Sequence, residues 1–283
     1  MAPHISIASA MELAADRLAS TGSGRLEAEL LLSYLLEVER SYLHAWPEQE
    51  LTSVQWSCFE QLLQRRAKGE PLAYIRGRQE FWSLDLRVTE ATLIPRPETE
   101  QLVEETIKRM ALEQSLKIAD LGTGSGAIAL AIGSERPQAQ VIGADISAVA
   151  LAVARENGSR LGLENVTFRR GDWFAPLRGE RFDLLVSNPP YIAEGDPHLT
   201  QGGLEFEPDT ALIAGDRGLE AIRHIATGAR EHLVEGGWLL LEHGYDQGPL
   251  LLELLTTLGY RQVVDFCDLA GVPRVVVGQW RAC

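Results

Sequence analysis

Cysteine is scarce in this chain of 283 residues. Its three thiols, Cys58, Cys267 and Cys283, lie far apart and form no Cys-x-x-Cys pair. An odd number at this spacing predicts neither a disulfide framework nor a zinc site. We therefore expect no bound metal.

Long apolar runs and basic residues are also in short supply. No apolar run approaches the roughly 20 residues that span a bilayer, and the start, Met-Ala-Pro-His-Ile, lacks the basic and apolar segments of a signal peptide. The 40 acidic residues outnumber the 26 basic ones, and the net charge of -14 repels phosphate backbones. We expect a cytoplasmic protein with no membrane partner and no direct contact with nucleic acid.

The first quarter of the chain has the apolar spacing of helices. Two capping boxes, Ser9 with Glu12 and Thr52 with Gln55, predict helix starts. We predict a small helical domain over residues 1–75. Apolar residues recur there at a period near 3.6, as in Leu26, Leu30, Leu31, Tyr34 and Leu35.

Beyond this region the pattern changes to strands. Alternating apolar and polar residues around Leu86 predict a β-hairpin linker over residues 76–96. Strands and helices then alternate, which predicts a doubly wound α/β domain with mostly parallel strands over residues 97–283. A short link near Gly271 favours an antiparallel pair at the end. Predicted strands are 117–121, 140–144, 165–169, 182–186, 237–242, 260–266 and 273–280, with helices 97–110, 126–134 and 147–161.

A glycine-rich loop follows the first strand of the α/β domain and opens a helix. Glycines let the backbone turn tightly and approach a ligand, and the helix N-terminus supplies free N–H groups. The same pattern fits a dinucleotide site, so a nicotinamide-dependent oxidoreductase stays open at this point. The loop reads Asp120, Leu121, Gly122, Thr123, Gly124, Ser125, Gly126 and Ala127.

Acidic and aromatic residues follow the next two strands. Asp145 can accept hydrogen bonds from two ribose hydroxyls, or it can cap the helix that starts near Ser147. Asp172 offers an acceptor for an exocyclic amine, and Trp173 can pack on a purine or simply fill the core. Together these residues predict an adenosine pocket.

The fourth strand ends in Asn188, Pro189, Pro190 and Tyr191. Two consecutive prolines cannot donate hydrogen bonds within a sheet, so the strand stops there in a stiff corner. The corner holds a neutral amide beside an aromatic ring, which suits methylation of a planar nitrogen. A plain strand-ending turn is the alternative.

These features at four strand ends resemble the class I S-adenosylmethionine-dependent methyltransferases, and the antiparallel pair at the end agrees. That family implies a mostly parallel, seven-stranded sheet with a reversed C-terminal strand. Three further segments are similar to the release-factor glutamine methyltransferase family (PrmC/HemK). They are Ile94 to Glu100, Phe206 to Pro208 with Ala211 and Leu212, and Asp268 to Gly271 with Arg274.

The resemblance implies methylation of the side-chain amide of the glutamine in the Gly-Gly-Gln motif of peptide chain release factors. S-adenosylmethionine is the implied cofactor and S-adenosylhomocysteine the product. We expect a monomer whose helical domain recognises the release factor. The implied cofactor-binding residues are Gly122, Thr123, Gly124, Ser125, Gly126, Asp145, Asp172, Trp173 and Asn188; Asn188, Pro189, Pro190 and Tyr191 hold the glutamine, with Asn188, Pro189 and Tyr191 as the catalytic residues.

Two other functions share part of this pattern. An adenine-amino methyltransferase acting on DNA or RNA would use the same corner, but the acidic balance and the lack of a basic, aromatic-rich segment disfavour it. A binding protein that senses the cofactor without catalysis would not need Asn188. A nicotinamide-dependent oxidoreductase ranks last, because no acid for hydride transfer is evident.

Overall fold

The chain folds into two compact units, Met1–Gly77 and Arg78–Cys283. The computed structural model describes residues 5–200 and 202–281, so Cys283 lies outside the described residues. Across these two ranges, every helix is too short or too polar to cross a membrane.

The first unit is a small helical bundle around one apolar core. Its core includes Ile7, Leu31, Leu43 and Phe59, all fully buried. Two short strands, Ile5–Ser6 and Glu50–Leu51, pair in antiparallel fashion beside it. The elements are β1 (Ile5–Ser6), α1 (Ile7–Arg17), α2 (Gly24–Leu36), α3 (Arg40–Ala45), β2 (Glu50–Leu51), α4 (Ser53–Ala67) and α5 (Leu72–Arg76).

One of the two predicted capping boxes is confirmed. Thr52 and Gln55 form a reciprocal box at the start of α4. The Ser9 box is wrong, because α1 starts earlier and Ser6 caps it by accepting a hydrogen bond from the Ser9 amide at 3.2 Å. The earlier start places Ile7 in the helix, with its side chain fully buried.

The apolar pattern predicts a helix here and α2 confirms it, but two of the patterned residues lie at the surface. Leu26 and Tyr34 are 44% and 43% exposed, whereas Leu31 is buried. The helix instead turns Glu27 inward, where both carboxylate oxygens accept hydrogen bonds from Arg66, at 2.9 and 3.0 Å. A bidentate partner on α4 offsets the desolvation of this carboxylate, which leucine periodicity alone cannot reveal.

The second unit opens with an antiparallel hairpin and continues as a seven-stranded sheet. The hairpin is β3 (Arg78–Phe81) and β4 (Leu84–Arg87). The sheet strands are β5 (Lys117–Leu121), β6 (Gln140–Asp145), β7 (Val166–Arg170), β8 (Phe182–Ser187), β9 (Leu233–Glu242), β10 (Arg261–Cys267) and β11 (Pro273–Gln279). The helices are α6 (Glu100–Ile107), α7 (Ala127–Glu135), α8 (Ala148–Leu161), α9 (Asp209–Leu212), α10 (Glu220–His232) and α11 (Gly248–Thr257).

The strand order across the sheet is β10-β11-β9-β8-β5-β6-β7. Strands β5 to β9 pair in parallel, and β11 runs antiparallel to both of its neighbours. The chain starts at β5 in the middle, moves outward through β6 and β7, and returns to β8 on the other side. This confirms the predicted doubly wound sheet with a reversed strand near the C-terminus.

Alternate residues of each strand enter two separate cores. Ile118 packs in one core with α6, α7 and the hairpin, while Ala119 packs in the other with α10 and α11. Leu184 and Leu185 divide in the same way. The sheet is therefore covered on both faces, as its continuous apolar strands predict.

The start of β9 and the bounds of α6 differ most from the sequence prediction. Strand β9 begins at Leu233 rather than residue 237, because Gly236, with φ of 81°, allows an irregular stretch to join the strand. Helix α6 is preceded by a 3₁₀ turn, Pro97–Thr99. Proline at the first turn favours this start.

Gly143 in β6 offers a test of this packing. A Cβ there would lie 2.7 Å from both Phe168 Cδ1 and Thr123 Oγ1. We expect Gly143→Ala to lower the free energy of unfolding by about 1 to 3 kcal/mol, measured by chemical denaturation. Gly158→Ala is the matched control, since its Cβ would meet Phe168 at 3.4 Å; equal effects of the two substitutions would contradict the packing described.

Candidate active site

A cavity of about 310 Å³ lies at the carboxyl ends of β5, β6 and β8. Adjacent strands diverge at this point of a doubly wound sheet, which is where such folds bind ligands. We call it the larger cavity. Its walls are Ala91, Thr92, Leu93, Gly122, Gly124, Ala144, Asp145, Ile146, Ser147, Val149, Ala150, Gly171, Asp172, Trp173, Asn188, Pro190, Pro208, Thr210 and Ala211.

The glycine-rich loop gives the larger cavity one wall made of backbone. Gly122, Gly124 and Gly126 have φ of 73°, 56° and 84°, in the left-handed region that glycine favours. Gly122 and Gly124 line the cavity, whereas Gly126 is packed against Leu130 and Phe168. Without side chains at the first two positions, a ligand can approach the main chain closely.

The other two loop residues turn into the protein. Thr123 and Ser125 are 6% and 3% exposed and do not line the larger cavity. The Thr123 hydroxyl donates to Asp120 Oδ2 at 2.6 Å. Burial raises the pKa of Asp120 to about 7, and Thr123 opposes that rise. The Thr123–Asp120 hydrogen bond therefore supports the loop from behind, outside the cavity wall.

Asp145 ends β6 and faces the larger cavity. Its Oδ2 accepts from the Gly124 amide at 2.9 Å and its Oδ1 from the Ser147 amide at 2.8 Å. Helix α8 has its own cap, because the Ser147 hydroxyl accepts from the Ala150 amide. A carboxylate has about four acceptor positions, so Asp145 keeps capacity for two hydroxyls.

Asp172 and Trp173 form the next wall. Asp172 is exposed, and Trp173 is half-buried with φ of 41°, an uncommon value for a residue other than glycine. Trp173 also packs against the core that contains α10. The indole therefore belongs to both the cavity wall and the core, so the two alternatives from the sequence are compatible.

The Asn-Pro-Pro-Tyr corner follows β8, and hydrogen bonds with other segments of the chain hold it in place. The Tyr191 carbonyl accepts from Gln247 Nε2 at 3.0 Å, and the Ile192 amide donates to Leu212 O at 2.9 Å. Asn188 Nδ2 donates to Thr99 Oγ1 at 3.2 Å. Among the described residues, no hydrogen bond occupies Asn188 Oδ1.

A second cavity of about 200 Å³ lies beside the first. We call it the smaller cavity. Asn188 lines both cavities and Pro190 only the larger one, whereas Tyr191 lines the smaller one. Pro189 is buried. The smaller cavity is formed by Leu93, Arg96, Asn188, Tyr191, Ile192, Leu204, Ala211 and Leu212.

Glu207 organises this region, although nothing in the sequence beyond family resemblance indicates a role for it. Its side chain is 1% exposed and pairs with Arg96. It also accepts a hydrogen bond from the Ile94 amide at 2.9 Å. Glu207 thus ties the segment before α6 to the segment before α9, and both segments wall the two cavities.

Thr99 and Glu242 are two further residues to which the sequence pattern assigns no role of their own. Thr99 is 4% exposed and Glu242 is 1% exposed. The Tyr191 hydroxyl donates to Glu242 Oε1 at 3.3 Å. Burial raises the pKa of Glu242 to about 7, and burial together with the Glu242 charge raises the pKa of Tyr191. Glu242 lies in a conspicuous Glu-His pair at the end of β9, but only the fold places it beside the corner.

Comparison with known proteins agrees with this arrangement. The family model described as PrmC N-terminal domain matches residues 9–77, and the one described as methyltransferase small domain matches residues 99–202. A methyltransferase structure from Pyrococcus furiosus has a TM-score of 0.52 at 18% identity, covering 80% of this chain and 99% of that one. That likeness shows the fold alone.

Sequence relatives are much more similar. A release factor glutamine methyltransferase from Vibrio cholerae serotype O1 is 49% identical over 280 residues, covering 98% of both chains. A protein of the same description from Xylella fastidiosa strain Temecula1 is 52% identical over 255 residues, covering 90% of this chain and 93% of the relative. The chain therefore belongs to the release factor glutamine methyltransferase family.

Proposed function

We propose that this protein transfers a methyl group from S-adenosylmethionine to the side-chain amide nitrogen of the glutamine in the Gly-Gly-Gln motif of peptide chain release factors. The observation that carries the proposal is the position of Asn188, which lines two adjoining cavities. The larger cavity suits the cofactor and the smaller one suits an amide side chain. Family membership supports the choice of acceptor.

The larger cavity has hydrogen-bond acceptors and apolar surface that suit an adenosine. Asp145 keeps acceptor positions for two ribose hydroxyls, and Asp172 can accept from an exocyclic amine. Trp173 and Ile146 offer apolar surface for a purine. The backbone of Gly122 and Gly124 leaves room for the amino acid end of the cofactor.

The corner supplies acceptors for the two N–H groups of the glutamine amide. Asn188 Oδ1 accepts one, and the Pro189 carbonyl oxygen accepts the other. Tyr191 packs against the flat amide. An amide nitrogen is a poor nucleophile because its lone pair is delocalised into the carbonyl. These residues can assist the reaction by fixing the position of the nitrogen and by stabilising positive charge on it.

S-adenosylmethionine supplies a methyl group on a positively charged sulfur and leaves as S-adenosylhomocysteine. With the cofactor bound, the amide nitrogen held by Asn188 and Pro189 would form the new N–CH₃ bond as the S–CH₃ bond breaks, and the electron pair of the broken bond would stay on sulfur. The nitrogen then releases one proton to water. Alignment at about 3 to 3.5 Å accounts for much of the acceleration in such reactions, so the corner needs no base strong enough to deprotonate an amide beforehand.

The helical unit of residues 1–75, by this proposal, recognises the release factor, with the hairpin over 76–96 as linker and residues 97–283 as the methyltransferase domain. The net charge of -14 supports a protein acceptor rather than a nucleic acid. We infer a monomer that binds its release factor directly.

The reaction can be tested with the purified chain, S-adenosylmethionine and a folded release factor. We expect one methyl group on the glutamine of Gly-Gly-Gln, located by peptide mass spectrometry. A release factor carrying glutamate in place of that glutamine is the control and should stay unmodified, as should DNA and RNA that contain adenine. An unmodified glutamine in the folded factor would refute the proposal.

Asn188→Ala separates acceptor binding from cofactor binding. Removing one preorganised polar group from a transition state costs on the order of 100-fold or more in rate, so we expect methyl transfer to fall by about that factor. The dissociation constant for S-adenosylmethionine, measured by calorimetry, should stay within about threefold of wild type.

Asp145→Ala should give the opposite result. Losing hydrogen bonds to a carboxylate costs about 1.5 to 3 kcal/mol, so cofactor affinity should fall by roughly 10- to 100-fold. If Asn188→Ala and Asp145→Ala weaken cofactor binding equally, Asn188 acts mainly in cofactor binding or folding, and its role in holding the glutamine is wrong.

A further inference from the structure

The side-chain amide of Asn188 has two chemically different ends. If Oδ1 faces the smaller cavity, it can accept an N–H from an acceptor amide, whereas Nδ2 in that place would set donor against donor. An unmatched buried polar pair costs about 1 to 3 kcal/mol. Some feature of the protein must therefore fix which end of the amide faces the cavity.

Thr99 holds the Nδ2 end, but its hydroxyl alone cannot choose between the two orientations. A threonine hydroxyl has one donor and two acceptor positions. The hydroxyl can accept a hydrogen bond from Asn188 Nδ2, as it does in the structure at 3.2 Å. It can also donate to Oδ1 if the amide is reversed. The choice depends on where the hydroxyl proton of Thr99 goes.

Glu242 lies behind Thr99 and supplies a destination for that proton. Its Oε1 accepts from the Tyr191 hydroxyl at 3.3 Å, and its buried Oε2 accepts no well-formed hydrogen bond from the residues that the structure describes. The Thr99 hydroxyl is still close enough to lower the pKa of this carboxyl. An ionised carboxylate only accepts, so it draws the proton of Thr99 and leaves the oxygen lone pairs of Thr99 for Asn188.

We propose that Thr99 and Glu242 are positioning residues that fix the amide of Asn188 with Oδ1 toward the acceptor. Three chain segments meet to do this: the 3₁₀ turn before α6, the end of β9 and the corner after β8. Neither residue lines either cavity. The role in methyl transfer rests on the proposed function, whereas the amide orientation is a property of the protein itself.

The charge state of Glu242 controls this arrangement. Burial raises its pKa to about 7; Thr99, Tyr191 and Arg274 lower the pKa, and Glu98 raises it. His243, the residue after β9, pairs with Asp265 instead, at 3.0 Å. When Glu242 takes up a proton below pH 7, it no longer demands the proton of Thr99, and the reversed amide of Asn188 becomes accessible.

Thr99→Val removes the hydroxyl while keeping the shape of the side chain. We expect the single-turnover rate of methyl transfer to fall about tenfold or more, with cofactor affinity unchanged. Thr99→Ser keeps the hydroxyl and should retain a rate within about threefold of wild type. Thermal unfolding of each variant reports on folding.

Thr106→Val is the matched control for Thr99→Val. Thr106 is fully buried in α6, where its hydroxyl donates to Leu102 O at 2.7 Å. The Thr106→Val variant also loses a buried hydroxyl in this helical region, yet its rate of methyl transfer should stay at the wild-type level. Equal rate losses for Thr99→Val and Thr106→Val, or no loss for Thr99→Val, would overturn the proposal.

The orientation can also be observed without any reaction, by nuclear magnetic resonance of the protein labelled with ¹⁵N at asparagine side chains. The chain has three asparagines, Asn157, Asn165 and Asn188. Asn157 Nδ2 donates to backbone carbonyls at 3.0 Å and Asn165 Nδ2 does so at 3.1 Å. These two are internal controls for folding, and Asn188→Ala assigns the third signal.

We expect the Asn188 NH₂ signals of wild type to shift between pH 6 and 8 with a midpoint near the pKa of about 7 given to Glu242 by burial. Glu242→Gln should abolish the shift, because nothing titrates at that position, and Thr99→Val should displace the same signals. The signals of Asn157 and Asn165 should not move. An Asn188 signal indifferent to both substitutions, or one that titrates unchanged in Glu242→Gln, would overturn the proposal.

The two proposals fail in different ways. If the NMR shifts occur and the release factor stays unmethylated, the orientation device stands and the acceptor assignment is wrong. If wild type methylates the release factor but Thr99→Val neither slows transfer nor moves the Asn188 signals, the acceptor assignment stands and the positioning role is wrong.

Discussion

The parallel pairing of β5 with β8 is the constraint on which the site depends. Asp120 of β5 lies opposite Val186 of β8, so the glycine-rich loop and Asn188 emerge side by side from neighbouring strands. Strands in a sheet lie about 4.8 Å apart, which leaves no room for another element between these two ends. The reversal of strand order at this point opens the space that becomes the larger cavity. Asp145 joins it because β6 is the next strand on the other side.

Much of this could be predicted from the sequence because its signals are local. The glycine-rich loop and the Asn-Pro-Pro-Tyr corner each mark the end of a strand, because glycine and proline favour particular backbone conformations. Asp145 marks the end of another strand. Continuous apolar strands separated by helices specify a parallel sheet covered on both faces. The central residues of each predicted strand lie in a strand of the structure. Strand β9 starts earlier than predicted, because Gly236 tolerates an irregular turn that interrupts the apolar pattern.

The remainder depends on partners that are distant in the chain. The burial of the Glu27 side chain is explained only by its partner Arg66, which is 39 residues away in the chain. Glu207 contacts the Ile94 amide across 113 positions, and Asn188 contacts Thr99 across 89. No periodicity or spacing reports such pairs. Family resemblance pointed to the segments that hold Thr99 and Glu207, but the geometry of the fold was needed to give each side chain a partner.

The two cavities share Leu93, Asn188 and Ala211 as common walls. A molecule in one cavity therefore rests against the same side chains as a molecule in the other. Any shift of these side chains by the first occupant changes the free energy of binding the second, and thermodynamic linkage makes that coupling equal in both directions. Affinities for donor and acceptor are thus two measurements of one coupled system, and the affinity of either ligand is defined only once the occupancy of the other cavity is stated.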